Sequence, residues 1–249
     1  MSTVEEHYSQ HLAPVYVWMA GGLAAALSRG ESELAAVLEE RSDAGTAVDL
    51  GAGFGMHAIP LARRGYSVLA IDSSAMLLDL IREQADAAGI RTVAGDLLSF
   101  PKHLNAPPDL ILCMGDTLTH LPDLASVERL FSSAAEALRA GGTFVLSFRD
   151  YSSPLTEERR FIPVQSDNAR ILTCFLEYHP EHVIVHDLLH ERTGATWGLR
   201  VSAYRKIRLS PEWVVRSLEA RGFTVRREAG LSGMVRIVAQ LSPATQNLS

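Results

Sequence analysis

Three glycines and one carboxylate carry the clearest chemistry in this chain. Gly51, Gly53 and Gly55 alternate with Ala52 and Phe54 in the stretch VDLGAGFG, and Asp72 follows Gly53 by 19 residues at the end of an apolar run. Backbone without Cβ atoms can turn sharply and lie against a ligand. A helix opening after such a turn aims unpaired N–H groups and a partial positive charge at the loop. A carboxylate closing the next strand can accept hydrogen bonds from the two hydroxyls of a ribose. Together they ask for a nucleoside-bearing ligand.

Spacing narrows the ligand. A dinucleotide fingerprint reads G-x-G-x-x-G, its third glycine allowing close packing of helix on strand. Here the order is G-x-G-x-G and position 56 is Met. Asp49 lies just before the loop, where an acid suits a cationic or amino-bearing ligand better than a pyrophosphate. The pattern favours S-adenosylmethionine over NAD.

The elements that must hold these residues follow in order. Residues 46–72 read as strand, glycine turn, helix and strand, with Gly65 as the helix stop. Ser73 or Ser74 caps a helix whose apolar face is Met76, Leu77, Leu80 and Ile81. Arg91–Ala94 is a third strand, followed by Gly95, Asp96 and Leu97. The continuous apolar run Leu110–Cys113 suits a buried parallel strand. Its carboxyl end, Met114-Gly115-Asp116, falls at the mouth of the sheet, where ligands bind. Asp116 is therefore a candidate for acceptor contact, with His120 close behind. A helix over 124–139 and a fifth strand over 143–148 lead to Arg149. A guanidinium there is placed for a two-pronged grip on a carboxylate, or for a salt bridge to Asp150, Glu157 or Glu158.

These motifs resemble those of class I S-adenosylmethionine-dependent methyltransferases. VDLGAGFG followed by AID is similar to the first motif and the acidic motif after it. LCMGDTLTHLPD and RAGGTFVLSFRDY resemble the glycine N-methyltransferase group of small-molecule enzymes. The resemblance covers residues 45–151. It implies that Asp72 holds the ribose and Asp96 the adenine amino group, with Ser73 and Met76 near both, in a pocket also formed by Asp49, Gly51, Ala52, Phe54, Gly55, Gly95, Leu97, Met114 and Gly115. It also implies that Arg149 grips a substrate carboxylate and that Asp116 stands where the family has an asparagine. An ionised Asp only accepts hydrogen bonds, which suits a cationic amine.

Beyond residue 151 the pattern changes. Three β-like runs, Ala169–Tyr178, His182–His190 and Thr196–Arg208, follow breaks at Pro154 and Pro163. They predict an antiparallel insertion that roofs the substrate pocket or pairs with another subunit as a homodimer. His182, His186 and His190 share a strand face, but at about 3.3 Å per residue they stand about 13 Å apart, too far for one metal. No metal site is expected. Tyr178 and Tyr204 can face the substrate or pack in the sheet. Before the core, residues 11–27 and 31–41 read as helices that lie over the cofactor, with Tyr8, Tyr16 and Trp18 able to close the pocket. Ser210-Pro211 opens a last helix, stopped at Gly222. A final hairpin over 223–228 and 235–241 completes the sheet.

The expected fold is α/β: a Rossmann-like, seven-stranded, mostly parallel sheet with an antiparallel last strand, a small β insertion and N-terminal lid helices. Its parts are a lid (1–44), a cofactor-binding core (45–151), the insertion (152–206), the C-terminal completion (207–241) and a tail (242–249). The chain has 249 residues, 47% hydrophobic, enough for a sizeable core. Net charge is −6 and no Lys/Arg-rich tail is present, which argues against a nucleic-acid partner. The polar N-terminus is not signal-like and the apolar stretch 12–27 is too short to span a membrane. Cys113 and Cys174 read as buried free thiols. A cytoplasmic enzyme is expected, one that methylates N or O on a small amine- or carboxylate-bearing molecule and releases S-adenosylhomocysteine. The rivals are a nicotinamide-dependent oxidoreductase and a non-catalytic cofactor-binding protein of the same fold.

Overall fold

The computed structural model describes residues 4–39, 44–84 and 88–242. The predicted helix end at residues 40 and 41, the stretch 85–87 and the tail 243–249 lie outside them. The central sheet is made of β1 (Thr46–Leu50), β2 (Ser67–Asp72), β3 (Ile90–Ala94), β4 (Leu110–Cys113), β5 (Thr143–Phe148), β10 (Phe223–Ala229) and β11 (Val235–Leu241). Its order is β10-β11-β5-β4-β1-β2-β3. The five strands from β3 to β5 are mutually parallel, while β11 runs antiparallel to both β5 and β10. This is the architecture the motifs implied. From β1 the chain winds outward to β2 and β3, then returns to β4 on the other side. A crevice therefore opens above the ends of β1 and β4.

Helices cover both faces. On one side α3 (Leu23–Glu39), α4 (Ala58–Arg63) and α5 (Ala75–Arg82) bring Leu34, Val37, Ile59, Leu61, Leu78 and Ile81 into one buried cluster. On the other, α6 (Leu124–Ala137) and α7 (Pro211–Glu219) bury Val127, Leu130, Phe131, Val214 and Leu218. A 3₁₀ segment, Leu97–His103, adds the fully buried Phe100. The caps follow the sequence: Ser74, Asp123 and Ser210 each accept from a backbone N–H three residues on.

The N-terminal segment departs from the two predicted helices. It winds through α1 (Val4–His7), a π turn at Tyr8–Leu12, a 3₁₀ turn at Ala13–Val15 and α2 (Tyr16–Met19). The break falls at Gly21-Gly22, and α3 then runs unbroken to Glu39. The early part is irregular because Pro14 has no N–H to continue an α ladder.

The insertion has four strands rather than three: β6 (Phe161–Ser166), β7 (Arg170–Tyr178), β8 (His182–Thr193) and β9 (Thr196–Ile207), paired in that order. Pro163, read as a breaker, sits inside β6 at a register shift. An edge strand tolerates it because no ladder donor is needed on its open side. One face of this sheet turns inward with Leu172, Val185, Leu189, Tyr204 and Lys206 buried. His182, His186 and His190 share the other face. His186 bonds Glu177 at 3.1 Å, and His182 stacks on His179.

Candidate active site

The glycine loop is fastened to the sheet before any ligand is considered. Gly51 and Ala52 both donate to the carbonyl of Ile71, at 2.8 and 3.0 Å. Gly51 has φ 74°, and a Cβ there would collide with Thr117, so only glycine fits. Gly55 plays the packing role of the fingerprint's third glycine, because Ile59 and Ile81 leave no room for a Cβ. Asp72 binds the loop to the next helix: Oδ2 accepts from Gly53 N–H and Oδ1 from Ser74 N–H, both at 2.8 Å. Burial raises its pKa, with those two N–H donors opposing.

Two cavities meet over this loop. The first, about 540 Å³, is lined by Asp72, Ser73, Leu77, Gly95, Asp96 and Leu97, and by Tyr8 and His120. The second, about 430 Å³, adds Ala52, Phe54, Met114, Gly115, Arg29 and Arg149. Tyr16, Gly51, Gly53 and Thr117 line both. The first chamber thus carries Asp72 and Asp96, and the second carries both guanidiniums beside Glu33 and His57. Asp96 also caps the 3₁₀ segment by accepting from Leu98 N–H at 2.9 Å.

Three expected cofactor residues stand elsewhere. Met76 is half exposed, and its neighbour Leu77 takes the lining position. Gly55 packs below the loop rather than facing a cavity. Asp49 is buried beneath it, with Oδ2 unpartnered, and burial pushes its pKa up to about 6.

Asp116 departs most from expectation. It lines neither cavity and is 5% exposed. Oδ1 accepts from Arg149 N–H at 2.9 Å and Thr119 Oγ1 at 3.0 Å. Oδ2 accepts from Tyr151 OH at 3.1 Å and from Lys206 Nζ at 2.5 Å. Burial pushes its pKa up, but Lys206 and the Arg149 N–H outweigh that and hold the carboxyl below its usual range. The carboxylate is spent on these partners, so it anchors the loop after β4 and does not reach an acceptor.

His120 does face the first cavity. Its ring stacks on Tyr204 at 5.4 Å and its Nε2 lies 3.3 Å from Tyr8 OH. Nδ1 is buried with no partner. Burial, then the nearby Lys206 charge, lower its pKa well below the ordinary value against the pull of Asp116, so the ring is neutral. Tyr204 lies between His7 and His120 and touches neither cavity, while Tyr178 packs with Leu176 under Arg208. Both belong to the sheet's packing. Arg149 lines the second cavity and donates to Ser232 O at 3.0 Å. Among the described residues it makes no ion pair with Asp150, Glu157 or Glu158. Cys113 is buried; Cys174 is half-buried, its Sγ donating to Asp187 at 2.8 Å.

Several site residues had no local signal in the sequence. Lys206 and Tyr151 come from distant segments to Asp116. His7 is fully buried, bonded to Asp187 Oδ2 at 2.9 Å and to Ser202 Oγ at 2.7 Å. Its contact clamps α1 to the insertion. His57 and Glu33 form a buried pair at 2.8 Å beside the glycine loop. Only fold-level pairing brings these groups together.

The strand order, the glycine turn after β1 and the acid after β2 define a Rossmann-like methyltransferase fold. Residues 47–142 match a family described as a methyltransferase domain. A glycine/sarcosine N-methyltransferase of Halorhodospira halochloris is 27% identical over 154 residues, 60% of this chain and 58% of that protein. A tRNA 5-carboxymethoxyuridine methyltransferase of Escherichia coli K12 is 36% identical over 108 residues, 41% of this chain and 39% of that protein. The chain therefore spans well under two thirds of either relative. The solved structure of S-adenosylmethionine-bound CalS10, an amino pentose methyltransferase from Micromonospora echinaspora, superposes with TM-score 0.76 at 18% identity, over 92% of this chain and 96% of that one. Residues 47–142 carry a methyltransferase domain, in a fold shared with solved structures that bind S-adenosylmethionine. The chambers fit it: carboxylates where an adenosine would lie, a side-chain-free turn in the middle, and guanidiniums beyond. Among the described residues, no helix is long and apolar enough to cross a membrane.

Proposed function

We propose that this protein transfers the methyl group of S-adenosylmethionine to an amine nitrogen of a small molecule that also carries an anionic group. Asp72 and Ser73 would hold the ribose, Asp96 the adenine, and the Gly51–Gly55 turn the middle of the cofactor. The cofactor supplies an electrophilic methyl group on a sulfonium. The chain's own work is to bind, orient and dry the site, which is where most of the rate of a one-step transfer comes from.

His120 carries the reading. It lines the same cavity as Asp72 and Asp96, and it is neutral. In the Nδ1–H tautomer, Nε2 accepts from Tyr8 OH at 3.3 Å, and Tyr8 Oη, which lines the same cavity, accepts a hydrogen bond from an acceptor N–H. The nitrogen's own lone pair is then free to point at the methyl group. A ring with a lowered pKa is a weak base, so its role is to orient an amine that arrives neutral, not to deprotonate an ammonium. Arg149, lining the second chamber, would hold the anionic group.

The test is release of S-adenosylhomocysteine with a panel of amines, carboxylates, phenols and a tRNA, beside binding of NADH. Turnover confined to amines, with kcat falling at least tenfold in His120→Ala while cofactor binding holds, supports the reading. Turnover only with phenols or tRNA removes the amine. NADH binding without a response to S-adenosylmethionine restores the oxidoreductase, and cofactor binding without any turnover restores the non-catalytic protein.

A further inference from the structure

We propose that the outer face of the four-stranded insertion sheet is an interface for a second copy of this chain, packed sheet on sheet about a two-fold axis. The proposal does not depend on which acceptor the enzyme methylates.

Most exposed bulk of the protein is concentrated here. Among the described residues, nine large apolar side chains are classed as exposed, and five of them, Phe161, Ile171, Trp197, Leu199 and Val201, lie on this one face. The exposures run from 41% to 55%. Register puts them in continuous rows: Ile171, His190 and Leu199 are cross-strand neighbours, as are Thr173, Leu188 and Val201. Scattered apolar residues need no explanation, but a contiguous face does.

Size and symmetry favour a second copy. Strands of 6, 9, 12 and 12 residues, at about 3.3 Å per residue and about 4.8 Å apart, give a face of about 600 Å². Stable interfaces begin at about 1,200 Å² in total, which two such faces reach. A two-fold interface must meet itself. The middle row of the face is Leu188 with Thr173 and Val201. An axis through it lays the hairpin end of one copy over the other end of its partner. Arg192, in the hairpin-end row beside Trp197, then meets the opposite row of Glu177, Ile184 and Arg205. The same operation lays the row of Ile171 and Leu199 over the row of Phe161 and Phe175. Strand direction is favourable too, because sheets packed face to face keep their strands within about 30° of alignment.

The test is the mass of the full chain by sedimentation equilibrium from low to high micromolar concentration. Wild type should weigh twice the chain. The double substitution Leu199→Glu with Val201→Glu should weaken association at least tenfold. Its far-ultraviolet circular dichroism and its binding of S-adenosylmethionine should not change, because both side chains are solvent-facing. Leu124→Glu, equally exposed on α6, should leave the dimer intact. Trp197→Arg gives a second disruption should the double variant fold poorly. A monomeric wild type throughout the range, or a dimer that survives both face variants, overturns the proposal.

Discussion

Lys206→Met isolates the joint between the insertion and the core. Lys206 lies on β9 and its ammonium meets Asp116 in the loop after β4, both side chains less than a tenth exposed. Removing one partner strands a buried carboxylate, which costs about 3–5 kcal/mol. For a chain of this size each kcal/mol moves Tm by about 2–4 °C, so a fall of about 6–20 °C is expected. Asp116→Asn alone also breaks the pair and strands the ammonium. Made together, Lys206→Met with Asp116→Asn leaves no buried charge, and Asn can still accept from Arg149 N–H. The double variant should therefore melt well above Lys206→Met, with a coupling of about 2 kcal/mol or more in a double-mutant cycle. His120 gives a second readout. Losing the Lys206 cation while keeping the Asp116 anion raises its pKa, so histidine ring NMR should show protonation beginning at higher pH in Lys206→Met than in wild type. Simple additivity in calorimetry, together with an unmoved His120 titration, would refute the assigned joint.

Three further outcomes follow from the same geometry. Asp72→Ala should weaken S-adenosylmethionine binding more than tenfold, or about 1.4 kcal/mol, by calorimetry; unchanged binding would remove Asp72 from the cofactor site. Arg149→Ala should raise KM for an anionic acceptor with little change for its neutral analogue, and a fall in Tm with KM unmoved would leave Arg149 a structural group. Asp49 has a folded pKa of about 6, above its unfolded value. Its contribution to stability is full at acidic pH and is lost as pH rises through about 6. Asp49→Asn should therefore raise Tm near pH 8 and change it little near pH 4, while weakening a cationic cofactor. A Tm gain that does not depend on pH would contradict the assignment.

The parts of the site legible in the sequence are those that local backbone chemistry fixes. Gly51, Gly53 and Asp72 lie within one strand-turn-helix-strand unit, so spacing alone places them. The seven strands and the antiparallel last one were also readable, because apolar runs and glycine stops recur in the sequence this fold needs. What failed did so for physical reasons. Asp116 occupies a position at the mouth of the sheet that sequence assigns to substrate, yet Lys206, 90 residues later, neutralises it. Met76 and Leu77 are adjacent on a helix, and a rotation of about 100° decides which one faces the cavity. Pro163 reads as a stop until its strand is known to be an edge. The N-terminal turns depend on contact with β9, which no window of sequence contains.

The insertion carries both the residues packed on His120 and the face proposed for pairing. Strand β9 turns Tyr204 and Lys206 inward, where one stacks on His120 and the other neutralises Asp116. Two turns of the pleat away, Leu199 and Val201 face outward. Residues of one strand alternate between faces, so a contact that fixes the outer face also fixes the plane of the inner one. His7 adds a third tie by bonding Asp187 and Ser202 from α1. The His120 ring is thus positioned by a sheet whose far side is open to pairing. Once the outer face is covered, the inner residues lose freedom without any change in their own contacts. Loosening that face by Leu199→Glu with Val201→Glu should then raise KM for the acceptor and leave Kd for the cofactor unchanged, because the Asp72 side of the crevice is built on the central sheet.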